Sequence, residues 1–244
     1  MATVKILNGE KLDADLTAVA DAIRDKTGGT ETLEFPQGYI EAVEAIQAVQ
    51  AGELDPLERY MTNQLTEYTT DVTDTLRSEA LKACAALTSV TFTQAKTMGA
   101  YMFQNCYALK YASFPEAIQT ATATFYQCTG LETVDLPKVQ SLGSYTFQGC
   151  TSLKKLDFPV VSYISANTFL NCSSFDTLIL RYNGCAMLSN ASTAFKGTPF
   201  AEGQGYVYVP RDYLELYQAS SQWSSLVSQL RAMEDYPEIC GGGA

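Results

Sequence analysis

The chain has no histidine among its 244 residues, and that absence removes the commonest general base and the commonest metal ligand together. A Cys–His dyad is excluded outright. No G-x-G-x-x-G, P-loop or C-x-x-C pattern occurs either, so the usual signatures of dinucleotide, nucleoside-triphosphate and thiol–disulfide chemistry are missing. Basic residues are scarce: 16 Lys and Arg face 27 Asp and Glu, for a formal charge of −11 and a pI near 4.5. A surface that tracks phosphates needs clustered Lys and Arg, so nucleic acid and anionic membrane are set aside as partners. No run approaches the roughly 18 uninterrupted apolar residues of a membrane span. The start, MATVKILNGEKLDADL, has no apolar core behind a basic opening. The expectation is a chain made in the cytoplasm, with no Sec route and no membrane insertion.

What the chain does have is a beat. Cys84, Cys106, Cys128, Cys150 and Cys172 each follow the last by 22 residues. A fixed period of that size marks a solenoid, whose units bury their apolar faces only by stacking on neighbours. Aligned on cysteine, the coils share F-x-x-C-x-x-L-x-x-V-x-F-P, as in FQGCTSLKKLDFP. Three residues before each Cys stands Leu81, Phe103, Phe125, Phe147 or Phe169; three after it stands Leu87, Leu109, Leu131, Leu153 or Phe175. The V-x-F pair has strand spacing, and Pro115, Pro137 and Pro159, which have no N–H to give a ladder, end those strands. A second apolar column runs through Leu76, Met98, Thr120, Leu142 and Ile164.

Stacked residues point the same way into the core. The five cysteines therefore read as reduced, packed thiols in a row, which is neither a set of disulfides nor the tetrahedron that zinc needs. No cofactor or metal is expected.

Both ends depart from the beat. Phe195 follows Phe169 by 26 residues, Thr198 takes the cysteine's place, and YVYVP at 206–210 supplies a last strand. Leu214, Tyr217, Trp223, Leu226 and Leu230 then mark two short helices, broken at Ser220 and Ser221, folding over the open end, with the sole Trp as anchor. At the other end Leu12, Leu16, Val19 and Ile23 form a helical stripe ending at Gly28 and Gly29, and Tyr39, Ile40, Val43, Ile46 and Val49 form a second. The chain divides into a helical hairpin module at 1–52, a connector and entry strand at 53–71, repeats at 72–210, a helical cap at 211–239 and a tail at 240–244.

The repeat resembles the BspA-like leucine-rich repeats of bacterial surface and phage-associated proteins. The ending, TPFAEGQGYVYVPRDYLELYQASSQWSSL, looks like the cap of such proteins in gut Firmicutes and their prophages. The opening, LTAVADAIRDKTGGTETLEFPQGYIEAVEAI, is similar to a short helical module of phage tail and baseplate-associated proteins. The fold class is thus α+β: a leucine-rich-repeat-like solenoid of about five 22-residue coils, with a helical N-terminal module and a C-terminal helical cap. The resemblance implies recognition of host protein or cell-surface glycan through the outward sheet face and brings no catalytic residue with it. It points to a phage or prophage tail-associated receptor-binding or accessory protein. The alternative is a surface adhesin exported by a non-Sec route. Residues 1–52 would serve self-association or attachment to a particle.

The register places Thr91, Ser113, Asp135, Asp157 and Ile179 in one outward column, with Lys110, Tyr111, Glu132, Thr133, Lys154, Lys155, Asp176 and Thr177 beside it. Hydroxyls, tyrosine and both charge signs suit a polar, wet interface. Asp135 and Asp157 fall about 5 Å apart by strand spacing, close to the carboxylate separation of retaining glycosidases. On an open sheet, however, nothing raises one of them into an acid, so the expectation is a non-enzymatic binding face.

Overall fold

The computed structural model describes residues 66–71 and 78–241; the expected hairpin at 1–52 lies outside them. Two parallel ladders run along the stack. The major one comprises β1 (Glu67–Thr70), β2 (Ser89–Phe92), β3 (Tyr111–Ser113) and β4 (Thr133–Asp135), then β6 (Lys155–Phe158), β8 (Thr177–Leu180), β10 (Tyr206–Val209) and β11 (Leu230–Ala232). β4 and β6 are neighbours without a registered pairing, so the face is two four-stranded sheets end to end. The minor ladder is β5 (Ser141–Leu142), β7 (Tyr163–Ile164) and β9 (Met187–Leu188), extended by bridges from Thr97 to Gln119 to Ser141.

Every sequence column in the described residues becomes a ladder in the core. Phe103, Phe125, Phe147 and Phe169 stack nearly parallel, with ring centroids 5.3, 5.6 and 6.0 Å apart. Phe92 and Phe114 form a second stack at 4.9 Å, and Phe103 and Phe114 meet edge to face at 5.9 Å. Such pairs add about 0.5–1.5 kcal/mol each beyond the area they bury. Thr120, the one polar member of its column, is buried but satisfied: its hydroxyl meets Thr146 Oγ1 at 3.0 Å and accepts from the Gly143 N–H at 2.9 Å.

The five ladder cysteines are fully buried thiols. Four of them donate to a carbonyl of the preceding coil: Cys106 to Leu81, Cys128 to Phe103, Cys150 to Phe125 and Cys172 to Phe147, at 2.8–3.2 Å.

Turning the chain within 22 residues takes two left-handed residues per coil. Glu79, Tyr101, Ala123, Tyr145 and Asn167 have φ of 55–61°, and Ala83, Asn105, Gln127, Gly149 and Asn171 have φ of 59–74°. Only Gly149 among these ten is a glycine, although L-residues carry about 1–2 kcal/mol of strain in this conformation. The stack over-determines the geometry. Tyr101, Phe103 and Asn105 donate their N–H groups to Thr122, Thr124 and Tyr126 of the following coil at 2.8–3.0 Å. On the strand side the sense reverses, with Lys110 and Glu132 donating back to Thr88 and Lys110.

Of the four extra residues before Phe195, two precede β9, where Tyr163 pairs with Met187 at a spacing of 24, and two follow it, where the chain makes a helical turn, α1 (Ala191–Ala194), with Asn190 Oδ1 accepting from the Thr193 N–H at its start. The cap comprises α2 (Arg211–Ala219) and a 3-10 segment, Ser221–Gln229. Its aromatics take both backbone groups of Ala186: the N–H donates to Tyr217 Oη at 2.9 Å, and the C=O accepts from Trp223 Nε1 at 2.8 Å. Trp223 is fully buried against Tyr217 and Phe195. The strands continue past YVYVP, where the sequence pattern ends them: β11 pairs beyond β10, with Val207 beside Leu230 and Tyr208 beside Arg231. A last helical turn, α3 (Pro237–Cys240), follows β11, and Cys240, the first residue of the expected tail, is buried.

Candidate functional site

Strand register sets the outward face. Glu67, Ser89, Tyr111 and Thr133 align in one row, and Thr69, Thr91, Ser113 and Asp135 in the next. Beyond β4 the rows resume as Lys155, Thr177 and Tyr206, and as Asp157, Ile179, Tyr208 and Arg231. In this alternation Val90, Ala112, Leu156 and Leu178 point inward and are buried.

The two halves of the face differ. On the N-terminal half Tyr111, Thr133 and Asp135 are exposed, with Lys110 and Glu132 exposed beside them and Thr91 half-buried. Ser113 does not belong to the accessible set; it is 5% exposed, its hydroxyl turned onto Asp135 Oδ2 at 3.0 Å. Lys154 and Asp176 continue the flanking column and are exposed, giving Lys110, Glu132, Lys154 and Asp176 in alternating sign. Alternation keeps like charges off adjacent coils.

The C-terminal half is covered by the chain's own end. Ile179, taken from the sequence as outward and available, is fully buried with Tyr208 and Cys240, and Met233, Tyr236 and Ile239 pack on them. Its side chain leaves the sheet in the expected direction, but the segment after β11 folds back over it. Polar contacts fix that segment: Lys155 Nζ donates to Ile239 O at 2.6 Å, and Arg181 Nη2 donates to Cys240 O. Arg181 also holds Asp157 through two bonds, Nε to Oδ1 at 2.8 Å and Nη2 to Oδ2 at 2.7 Å. That pairing pushes the guanidinium pKa further up. Lys155 and Asp157 are therefore structural anchors, and Asp135 and Asp157 each answer to a different neighbour.

The register could have revealed more of this half. Tyr206 and Tyr208 alternate outward in YVYV, and Arg231 stacks on the Tyr206 ring at 4.5 Å. Arg181, directly after β8, carried no periodic signal. Among the described residues no group of three or more Cys, Asp or Glu could hold a metal ion. The ladder thiols run in single file. Burial pushes Cys172 up to about 12 and raises Cys128 and Cys150 as well, while Cys106 is raised chiefly by its hydrogen bond with Cys128. Protonated thiols of this kind are inert.

Parallel strands, one per coil, beneath a repeated Phe–Cys–Leu–Phe core accord with what family comparison finds. Residues 60–176 match the BspA type leucine rich repeat region, in 6 copies. Residues 60–176, just under half of the chain, are thus similar to BspA-type leucine-rich repeats. Among solved structures, this chain is similar to a leucine-rich repeat protein from Bacteroides ovatus, at 22% identity over 68% of this chain and 45% of that one, with a TM-score of 0.49. It is similar to a leucine rich repeat protein of T. pallidum, at 17% identity over 55% and 69%, with a TM-score of 0.46. It is also similar to a leucine rich cell surface protein from Faecalibacterium prausnitzii, at 14% identity over 67% and 54%, with a TM-score of 0.45. The chain thus spans about half the length of the first and third of these. No curated protein matches it. Among the described residues no helix is long and apolar enough to cross a membrane.

Proposed function

We propose that this repeat chain is a non-enzymatic recognition protein, and that its contact surface is the N-terminal half of the outward face. Repeat solenoids are generally binding scaffolds. The observation that carries the assignment is the division of the face. Tyr111, Thr133 and Asp135, with Lys110 and Glu132 beside them, are exposed, whereas the matching positions around Ile179 are sealed by residues 233–240. Exposed tyrosine among hydroxyls and mixed charges is the composition of a polar recognition surface. A cell-surface protein or glycan is the partner it suits.

The setting we propose is a phage or prophage tail. The support is the likeness of the opening residues to a tail-associated helical module, with residues 1–52 as the joint to the particle or to a second copy. The chain would be made in the cytoplasm and would reach the outside by assembly and release. Gene neighbourhood distinguishes this from a surface adhesin: adjacent tail and lysis genes support it, and a lone locus beside secretion genes contradicts it.

Pull-down from host-surface extract tests the face. The double variant Lys110→Glu, Tyr111→Ala should lose a partner that the unmodified chain retains. Retention of the same partner at equal yield would place recognition elsewhere.

A further inference from the structure

A concave feature lies away from the outward face, at the seam where the last coil meets the cap. It is a cleft of about 380 Å³ between the turn after β9, with α1, on one wall and the 3-10 segment Ser221–Gln229 on the other. That volume is at the small end of ligand-binding pockets. The floor is fixed: Leu188 is fully buried, and its N–H donates to Gln222 Oε1 at 3.3 Å. Trp223, the residue after Gln222, is anchored on Ala186.

The lining is polar yet uncharged. Ser189, Asn190, Ser192, Gln222, Ser224 and Ser225 line it together with Leu188 and Ala191, and no ionisable side chain takes part. In a chain of charge −11, a neutral cleft selects against ionic ligands, which would find no countercharge there. Its hydrogen-bonding capacity is mixed. Asn190 spends Oδ1 on the Thr193 N–H and the Ser192 hydroxyl, and Gln222 spends Oε1 on Leu188, which leaves both amide NH2 groups as donors. Ser192 and Ser224 donate to Asn190 Oδ1 and Ser221 O, so their oxygens remain as acceptors. The hydroxyls of Ser189 and Ser225 have no protein partner among the described residues and can act either way. Half-buried Ala191 supplies a small apolar patch.

Donors, acceptors and a small apolar patch without charge complement a pyranose ring, whose hydroxyls both give and accept and whose C–H face is apolar. We infer that the seam between α1 and the cap is a binding site for a single neutral sugar residue. It goes beyond the recognition face and is independent of it.

Saturation-transfer NMR on the full chain tests this with glucose, galactose and N-acetylglucosamine, against glucuronate and glucose 6-phosphate as charged counterparts. At least one neutral sugar should receive saturation, and the charged ones should not. Ser225→Phe and Ser189→Phe place a ring into the cleft from opposite walls. Both positions are exposed, and unfolding curves matching the unmodified chain confirm that the fold is kept. Each variant should weaken the neutral-sugar signal at least tenfold, whereas Tyr111→Ala on the outward face should not. Absence of any neutral-sugar signal, equal signal from a charged sugar, or survival of the signal in either Phe variant overturns the assignment. None of these outcomes bears on the pull-down from host extract.

Discussion

The thiol of Cys128 donates to the carbonyl oxygen of Phe103, 3.0 Å away in the preceding coil. The same bond recurs one coil later between Cys150 and Phe125 at 3.2 Å. Cysteine suits the position because it is small, apolar enough for a fully buried column and still a weak donor. Its regular spacing therefore records a packing and hydrogen-bonding role.

Those thiols make stability pH-dependent at the alkaline end. Cys172 is pushed up to about 12, and Cys128 and Cys150 are raised as well, by burial. Unfolded thiols release their protons near pH ~8.5, so above it the native state holds more protons than the unfolded one, and unfolding free energy falls as pH rises. The contribution is complete below about pH 8.5 and is lost towards about pH 12, at up to ~1.4 kcal/mol per pH unit for each thiol. Urea unfolding at neutral and alkaline pH measures it; a flat profile would remove the argument.

Arg181→Ala should release the C-terminal segment while sparing the core. It removes the donor to Cys240 O and leaves Asp157 without its bidentate partner. Cys240 should then react with a thiol-alkylating reagent at least tenfold faster than in the unmodified chain. The ladder thiols, read by peptide mass mapping, should stay protected.

Thr97→Val should stabilise the chain. Thr97 Oγ1 is a buried side-chain oxygen without a hydrogen-bond partner, and an unsatisfied buried hydroxyl costs about 1–3 kcal/mol. Valine has nearly the same shape, so a gain of about 1 kcal/mol is expected from equilibrium denaturation.

Gly143→Ala should do the reverse. A Cβ there would lie 2.5 Å from Ala121 O and 2.7 Å from its carbonyl carbon, both backbone atoms. Neighbouring coils would have to separate, at a cost of about 1–3 kcal/mol, the range for overpacking. A melting temperature equal to that of the unmodified chain would show that the coils yield freely.

Much of this was legible because repetition turns one alignment into a register. Phe103, Cys106, Leu109 and Phe114 named the core of a coil, and their counterparts followed by adding 22. The features that escaped are those that occur once. Ile179 obeys the period and faces outward, yet its burial depends on Cys240, which obeys no period. The non-glycine turns hid for another reason: Tyr101 and Ala123 adopt left-handed backbone because adjacent coils hold them there, so no glycine advertised the bend. β11 was missed because the cap interrupts the chain between it and β10.

The opposed hydrogen bonds of the two walls have an electrostatic consequence. At the turns, N–H groups of one coil point to carbonyls of the next, as from Phe103 to Thr124; at the strand entries they point back, as from Glu132 to Lys110. In an α-helix all such bonds share one direction and sum to a macrodipole. Here the two rows run against each other and largely cancel, so lengthening the stack adds surface without building up opposite charge at its ends. The field around this rod is set by its side chains, and over residues 78–176 these balance, with Glu79, Glu116, Glu132, Asp135, Asp157 and Asp176 against Lys82, Lys96, Lys110, Lys138, Lys154 and Lys155.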